Sequence, residues 1–291
     1  MQSTFVSDKN RRRHLAEARR STSNVRVYKA YNENIHTYPI IVSIPHSGTY
    51  LPREVRRQLT RPLTLPNMDW HLDRLYDFLQ ETGVTVIVSN ISRYVVDLNR
   101  DSTTGANDDY KNAVVYEKTT FGRPMYAAPL NETEVNARIE QYYNPYHEKL
   151  ECLIEDKLTY FDKICLIDMH SFFKDFTPEA TQDILLSDFD HKTAEKPIFD
   201  CLKANLEAQG YSVGDNPIKG KHILSRYKTL FGENINCIQL ELRYTNYLYQ
   251  RTFDEEEVHD WNPTLFNTAK KKLKTALSET FEIFKQDSLA K

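Results

Sequence analysis

Hydrophobic residues fall along the chain in short, β-branched runs separated by longer amphipathic stretches. Tyr38-Pro39-Ile40-Ile41-Val42-Ser43-Ile44 is one such run, ended by Pro45, and Val84-Thr85-Val86-Ile87-Val88 is a second. Lys163-Ile164-Cys165-Leu166-Ile167-Asp168 and Ile235-Asn236-Cys237-Ile238-Gln239-Leu240-Glu241-Leu242 have the same character. Runs of this length, the first three apolar at mostly successive rather than alternate positions, predict buried strands. Arg93 to Leu98 is a further strand candidate, and a short strand is expected at about 211–213.

Between the runs the period changes to that of helices. Asp69 is placed to cap a helix whose apolar face is Trp70, Leu72, Leu75, Tyr76 and Leu79 and which stops at Gly83. Residues 131–162 read as largely helical: Asn131 and Glu134 have the spacing of a capping box, and Pro145 is placed to kink or split the element. Helices are also expected at about 194–209 and 263–286. Buried strands alternating with helices predict an α/β sheet covered on both faces, and no linker or repeat interrupts the pattern. Residues 1–25 therefore read as a basic N-terminal segment, and 26–291 as a single domain.

Composition narrows the functions available. The 38 Lys and Arg residues face 41 Asp and Glu, a formal charge of −3 that gives no electrostatic reason to expect nucleic acid or an anionic membrane as partner. Only eight glycines occur, and no two have the G-x-G spacing that lets backbone approach a pyrophosphate. The nearest approach to a P-loop, Gly214 to Gly220-Lys221-His222, has the wrong spacing and ends in His where a magnesium-binding hydroxyl belongs. No stretch is apolar enough to span a membrane, and the N-terminus lacks the apolar region of a secretory signal. Four cysteines (Cys152, Cys165, Cys201, Cys237) stand far apart without a C-x-x-C, as suits reduced thiols, so a cytoplasmic location is expected. Arg11-Arg12-Arg13 and Arg19-Arg20 make the N-terminal segment basic, but Asp8 and Glu17 favour a solvated segment over a transit peptide.

In α/β sheets, ligands gather beyond the carboxyl ends of the strands, so polar residues that follow apolar runs deserve inspection. Four segments qualify: Pro45-His46-Ser47-Gly48, Arg93 through Asn99-Arg100, Asp168-Met169-His170-Ser171, and Glu241 with Arg243. A catalytic zinc takes three protein ligands of the His, Asp or Glu type and keeps an open position, and a carboxylate such as Asp168 can orient His170. Two other patterns are weaker. Gly210-Tyr211-Ser212-Val213-Gly214 fits G-x-S-x-G, but a helix precedes it where a nucleophile elbow needs a strand. His14-Leu15-Ala16-Glu17 imitates a zinc pair within the basic segment, with no strand before it.

Five pieces carry a specific resemblance: Ser43-Ile44-Pro45-His46-Ser47-Gly48-Thr49, Asp69-Trp70-His71-Leu72-Asp73-Arg74-Leu75-Tyr76, Ser92-Arg93-Tyr94-Val95-Val96-Asp97-Leu98-Asn99-Arg100, Asp168-Met169-His170-Ser171 and Gln239-Leu240-Glu241. In this order they resemble the N-formylglutamate amidohydrolase (deformylase) family, itself similar to zinc carboxypeptidases and aspartoacylase-type deacylases. The resemblance implies a three-layer α/β/α sandwich around a mixed, mostly parallel sheet. It also implies one zinc ion per chain, held by His46, His170 and a carboxylate. Relatives usually take that carboxylate from a Glu three residues after the first histidine, where this chain has Thr49. Asp69 is the first choice in its place, ahead of Glu54, His71 and Asp73.

By the same resemblance Glu241 is the general base and acid, and Arg93 polarises the scissile carbonyl. Asn99 and Arg100 hold a substrate carboxylate, and Arg243 takes the second carboxylate of a glutamate-like substrate. His222 falls near the site without an assigned role, and Gly48 lies where a side chain would crowd the approach to zinc. The implied activity is hydrolysis of N-formyl-L-glutamate, a small-molecule N-acyl amino acid, to formate and L-glutamate, the last step of one histidine-degradation route. The alternatives are another zinc amidase or carboxypeptidase acting on a different N-acyl amino acid or peptide, a non-catalytic dicarboxylate-binding relative, and a serine hydrolase acting through Ser212.

Overall fold

The apolar runs become the strands of one seven-stranded sheet. The computed structural model describes residues 26–107, 109–173, 181–218 and 222–289. Its strands are β1 Tyr28–Tyr31, β2 Ile40–Ile44, β3 Thr85–Ser89, the two-residue β4 Ala106–Asn107 and β5 Val115–Tyr116, β6 Ile164–Phe172, β7 Ile184–Ser187, β8 Val213–Asp215 and β9 Ile235–Arg243. The helices are α1 Arg53–Gln58, α2 Leu72–Leu75, α3 Glu132–Arg138, α4 Asn144–Lys157, α5 Lys196–Ala208, α6 His222–Phe231 and α7 Pro263–Leu289. The main sheet runs β1-β3-β2-β6-β9-β7-β8, and β4 and β5 pair separately. Neighbours are parallel from β3 through β2 and β6 to β9, whereas β1 and β7 join antiparallel, so the sheet is mixed and mostly parallel, as expected.

Alternating side chains feed two cores. On one face Val42, Val86, Val88, Ile238 and Leu240 pack with Phe199 and Leu202 of α5 and with Leu273, Leu277 and Phe281 of α7. On the other, Ile41, Ile87, Leu166 and Cys237 pack with Tyr146, Leu150 and Ile154 of α4 and with Ile223 and Tyr227 of α6. Each large apolar side chain buried in this way contributes about 1.5–3 kcal/mol before the cost of ordering it. The layers form the α/β/α sandwich that the resemblance implied.

The capping box at α3 is formed: Asn131 Oδ1 accepts from Glu134 N at 3.0 Å, and Glu134 Oε2 from Asn131 N at 2.9 Å. A π-helical turn, Ile139–Tyr143, leads into α4, whose first turn holds Pro145. The ring has no N–H for the preceding turn, and the wider turn makes room for it, so Pro145 splits the element without ending it.

Two expectations fail. The helix predicted from Asp69 begins only at Leu72, lasts one turn and passes into a 3-10 turn, Asp77–Glu81. Its N-cap is His71, at φ 59°, and a left-handed residue there breaks the helix that Asp69 would otherwise have capped. Arg93 to Leu98 is not a strand: Val95 N bonds back to Ser92 O and Asp97 N reaches Val114 O, so turns and a loop partner satisfy the backbone of an apolar but non-extended segment. β1, β7 and α6 went unpredicted. The first is a four-residue edge strand with mixed exposure, and the second is only four residues long. The third shows its period through only Ile223, Leu224 and Tyr227.

The basic segment 1–25, with His14 and Glu17, lies outside the described residues, as do Gly220 and Lys221. Among the described residues no helix is long and apolar enough to cross a membrane.

Candidate active site

Because β2, β6 and β9 are parallel neighbours, their carboxyl ends open on the same edge of the sheet. His46 follows β2 directly, His170 lies near the end of β6, and Glu241 is the Cα partner of His170 across the β6–β9 ladder. Asp69 arrives from the connection before α2, where left-handed backbone at Asn67 (φ 56°) and His71 (φ 59°) brackets it. Non-glycine residues in that region cost about 1–2 kcal/mol each, a cost typical of segments that aim a functional side chain.

His46, Asp69 and His170 are all buried, and one ligand atom from each lies within 4.8 Å of the others. His46 Nε2 lies 2.8 Å from Asp97 Oδ1, and His170 Nε2 lies 2.7 Å from Asp168 Oδ2. A carboxylate can only accept, so both Nε2 atoms carry hydrogen and neutral rings would present Nδ1 lone pairs toward Asp69. His170 Nδ1 is 2.9 Å from Asp69 Oδ2 and His46 Nδ1 is 3.6 Å from the same oxygen. His46 Nδ1 is buried and hydrogen-bonded to nothing, an orphan of the kind that a metal ion satisfies. Among the described residues this is the one group of three or more His, Cys, Asp or Glu side chains that could hold a metal. Of the other third-ligand candidates, Glu54 accepts from Tyr142 OH at 2.6 Å, His71 packs edge-on against Trp261, and Asp73 is exposed.

Asp97 organises the rest. Its Oδ1 also accepts from Asn99 N at 2.8 Å, and its Oδ2 accepts from Arg93 Nη2 at 2.9 Å and from the Tyr116 hydroxyl. Burial alone would raise its pKa, but Arg100, His46 and Arg93 hold it well below the usual carboxylate range. Burial likewise opposes ionisation of Asp69, and the neighbouring imidazoles of His170 and His46 bring its pKa down. The His170 ring shows the converse: burial would lower its pKa, and the carboxylates of Asp168 and Asp69 drive it up. Arg93 lies between Asp97 and, at 3.9 Å, Asp69 Oδ1.

Glu241 has a different environment. Burial pushes its pKa up to about 7; nearby Asp69 adds to this, while His170 and the Gln239 amide, bonded at 2.8 Å, act against it. A carboxylate poised near neutrality beside a triad of potential ligands is equipped to exchange protons with water.

The proposed substrate-binding residues sit less uniformly. Both ends of the Asn99 carboxamide are spent within the protein: Nδ2 donates to Asp168 Oδ2 at 3.3 Å, and Oδ1 accepts from Ile223 N at the start of α6. Arg100 uses Nε and Nη2 on Tyr110 O and Nη1 on Asn99 O, which leaves one N–H on each terminal nitrogen. Arg243 ends β9, donates from Nε to Gln182 O at 2.8 Å and lies 4.8 Å over the Phe172 ring. His222 opens α6 with Nε2 buried and unpartnered.

Gly48 has a function other than the expected one. A Cβ on it would lie 2.3 Å from the carbonyl carbon of Asn90, so its hydrogen lets the loop after β2 close against the chain after β3, where Tyr50 N bonds to Asn90 O. A cavity of about 390 Å³ nearby is lined by Ser47, Trp70 and Ser92, chain neighbours of His46, Asp69 and Arg93, rather than by those side chains. Ser212 donates to Asp183 Oδ2 at 2.7 Å on an exposed edge and leads into strand β8, which is not the strand-to-helix context of a nucleophile elbow. Sequence reasoning missed Asp97 and Tyr116. The first was open to the logic that paired Asp168 with His170, since His46 needed an equivalent partner; nothing in the sequence pointed to the second.

Histidines, acids and an arginine gathered over the carboxyl edge of a covered α/β sheet define the class: an enzyme that hydrolyses an amide. The chain belongs to the N-formylglutamate amidohydrolase family, whose family model matches residues 38–248. It is 32% identical over 226 residues to an N-formylglutamate deformylase of Pseudomonas putida, a match covering 72% of this chain and 82% of the relative. A deformylase of the same name from Pseudomonas aeruginosa is 33% identical over 222 residues, with the same coverage. In fold it is similar to a crystal structure of N-formylglutamate amidohydrolase from Ralstonia eutropha JMP134, with TM-score 0.71 and 22% identity over 91% of this chain and 99% of that one. A gene product of Agrobacterium tumefaciens has TM-score 0.65 and 14% identity, covering 94% of this chain and 98% of that one.

Proposed function

We propose that this chain is a zinc-dependent N-formylglutamate deformylase that converts N-formyl-L-glutamate and water to formate and L-glutamate. The observation that carries the zinc reading is the orphaned Nδ1 of His46, facing Asp69 and His170 while carboxylates hold both outer ring nitrogens. His46, Asp69 and His170 would hold one ion, and two imidazoles with one carboxylate are a donor set that zinc accepts. Bound there, zinc supplies Lewis-acid polarisation and makes water acidic near neutral pH.

The chain's own residues do the remainder. Glu241 takes a proton from the attacking water as its oxygen bonds to the formyl carbon. The guanidinium of Arg93, held by Asp97, stabilises the charge that develops on the former carbonyl oxygen. When the carbon–nitrogen bond breaks, Glu241 returns the proton to the departing amine. The free N–H groups of Arg100 take one substrate carboxylate, Asn99 holds the turn behind it, and Arg243 takes the second carboxylate. Such a reaction suits a cytoplasmic enzyme at the end of a histidine-degradation route, acting on a small molecule.

The test is formate release from N-formyl-L-glutamate by purified protein, with a panel of N-acetyl and N-formyl amino acids alongside. Activity lost on chelation and restored by zinc is the expected result. Turnover indifferent to chelator, or none on any N-acyl dicarboxylic amino acid, refutes the reading. His170→Ala should lose both metal and turnover, and an unchanged metal content would overturn the ligand assignment.

A further inference from the structure

Beneath the turn that carries Asn99 and Arg100 lies a buried polar relay with no part in the chemistry above. His147 of α4 is 2% exposed, and its Nε2 lies 2.9 Å from the carbonyl oxygen of Leu98. A carbonyl only accepts, so Nε2 carries the hydrogen. Burial, helped by the nearby Arg226 and His222, lowers the pKa of this ring, so Nδ1 is left as a bare acceptor. The hydroxyl of Tyr227 in α6, fully buried and 2.8 Å away, donates to it. The next carbonyls are also held: that of Asn99 by Arg100 Nη1 at 2.8 Å, and that of Arg100 by the Tyr143 hydroxyl at 2.9 Å. Three successive carbonyls thus have side-chain donors, and the first depends on a donor whose tautomer is set by a residue on another helix.

We infer that His147, locked by Tyr227, is a positioning residue for the substrate-carboxylate subsite, fixing the Leu98–Arg100 turn so that the Arg100 guanidinium meets the substrate at a set height above the sheet. The inference rests on the reading of Arg100 as the residue that takes a substrate carboxylate. A buried polar network of this kind is costly unless every member is satisfied, and an apolar filler would suffice if only packing were required. Binding of a carboxylate remote from the reacting carbon is felt equally in ground and transition states, so a loosened turn raises KM and leaves kcat alone.

The experiment compares zinc-loaded full-length His147→Phe, His147→Gln, Tyr227→Phe and Arg100→Ala, and the double variant His147→Phe with Arg100→Ala. KM and kcat for N-formyl-L-glutamate are measured alongside metal content and thermal midpoint. The expected result is a KM rise of about five- to tenfold in His147→Phe, the size of one lost hydrogen bond and its after-effects. Turnover and zinc content stay near normal, and His147→Gln, whose amide can donate to Leu98, recovers most of the loss. The double variant is no worse than Arg100→Ala alone, because the two act on one interaction.

A purely structural role would move the thermal midpoint and leave KM as it was, and that outcome overturns the inference. So does additivity in the double variant. If His147→Phe does not fold, Tyr227→Phe carries the test, with a KM rise of about two- to fivefold expected and an unchanged KM overturning it. Should Arg100→Ala leave KM unaltered, the carboxylate reading falls and this inference with it. If Arg100→Ala raises KM and the two relay variants do not, only the inference falls.

Discussion

Replacing Asp97 with Asn keeps the shape of the side chain and removes its charge, and the consequences can be worked through donor by donor. Two hydrogens reach Oδ1, from His46 Nε2 and Asn99 N, and two reach Oδ2, from Arg93 Nη2 and the Tyr116 hydroxyl. An amide offers one oxygen and one NH₂, so whichever way it turns, its NH₂ faces donors. Hydrogen bonds to a charged group are worth about 1.5–3 kcal/mol each. The less damaging rotamer keeps His46 and abandons Arg93, whose remaining carboxylate partner is Asp69 at 3.9 Å. Breaking a buried ion pair costs about 3–5 kcal/mol, and the second partner places this case at the low end. A domain with about 5–15 kcal/mol of stability survives that.

The proposed zinc would feel the change separately, because a neutral partner orients His46 less firmly and makes Nδ1 a poorer donor. Loss of such a partner weakens metal binding about 10- to 100-fold, or about 1.4–2.8 kcal/mol. The assay is a chelator-competition titration of zinc, run beside urea unfolding of the metal-free protein and kcat/KM. Weaker zinc binding and lower stability together are expected. A zinc Kd within twofold of the parent, whatever happens to stability, would refute the claim that Asp97 tunes His46.

Glu241→Gln should lower kcat about 10²–10⁴-fold with zinc content and KM little changed, since it removes proton transfer and leaves the ligands in place; steady-state kinetics and metal analysis check this. Gly48→Ala forces its Cβ to within 2.3 Å of the Asn90 carbonyl carbon, a backbone atom that cannot swing aside. A loss of about 1–3 kcal/mol or more in urea unfolding is expected, and a neutral substitution would show that the loops separate easily. Lys157, buried with its ammonium donating to the carbonyls of Ile35 and Tyr38, has its pKa lowered by burial from 10.5 to about 8. Between those values the unfolded chain holds the proton more tightly, so stability should rise with pH from about 8 to 10.5, and Lys157→Met should abolish that rise.

The parts of the fold legible in the sequence were those where one physical signal acted alone. Ile40–Ile44 and the first half of Ile164–Phe172 are apolar at nearly every position because both faces of the sheet are covered, and Asn131 with Glu134 announces a helix start through backbone donors that must be satisfied. The convergence of His46, His170 and Glu241 was legible once their strands were known, because parallel strands deliver their ends to one edge. Asp69 illustrates the limit. Aspartate can serve as a helix cap or as a metal ligand, and only the left-handed backbone at His71 rules out the cap. The Arg93–Leu98 segment is as apolar as a strand because its loop is buried, so composition could not separate the two. The relay through His147 and Tyr227 joins residues 80 positions apart, and no local pattern reports such a meeting.

The place of β9 in the sheet bears on how the enzyme comes into being. β9 enters between β6 and β7, yet it follows both in the chain. The proposed ligands, with Arg93 and Arg100, are all synthesised by residue 170, and Glu241 emerges 71 residues later (241 − 170). At about 5–20 residues per second that interval lasts about 4–14 s. During it the nascent chain carries the proposed ligands without the proposed base, and β6 lacks its neighbour on one side. Insertion of β9 completes the sheet and brings in Glu241 in one event, so under the proposed mechanism a chain still lacking β9 has the ligands without the base.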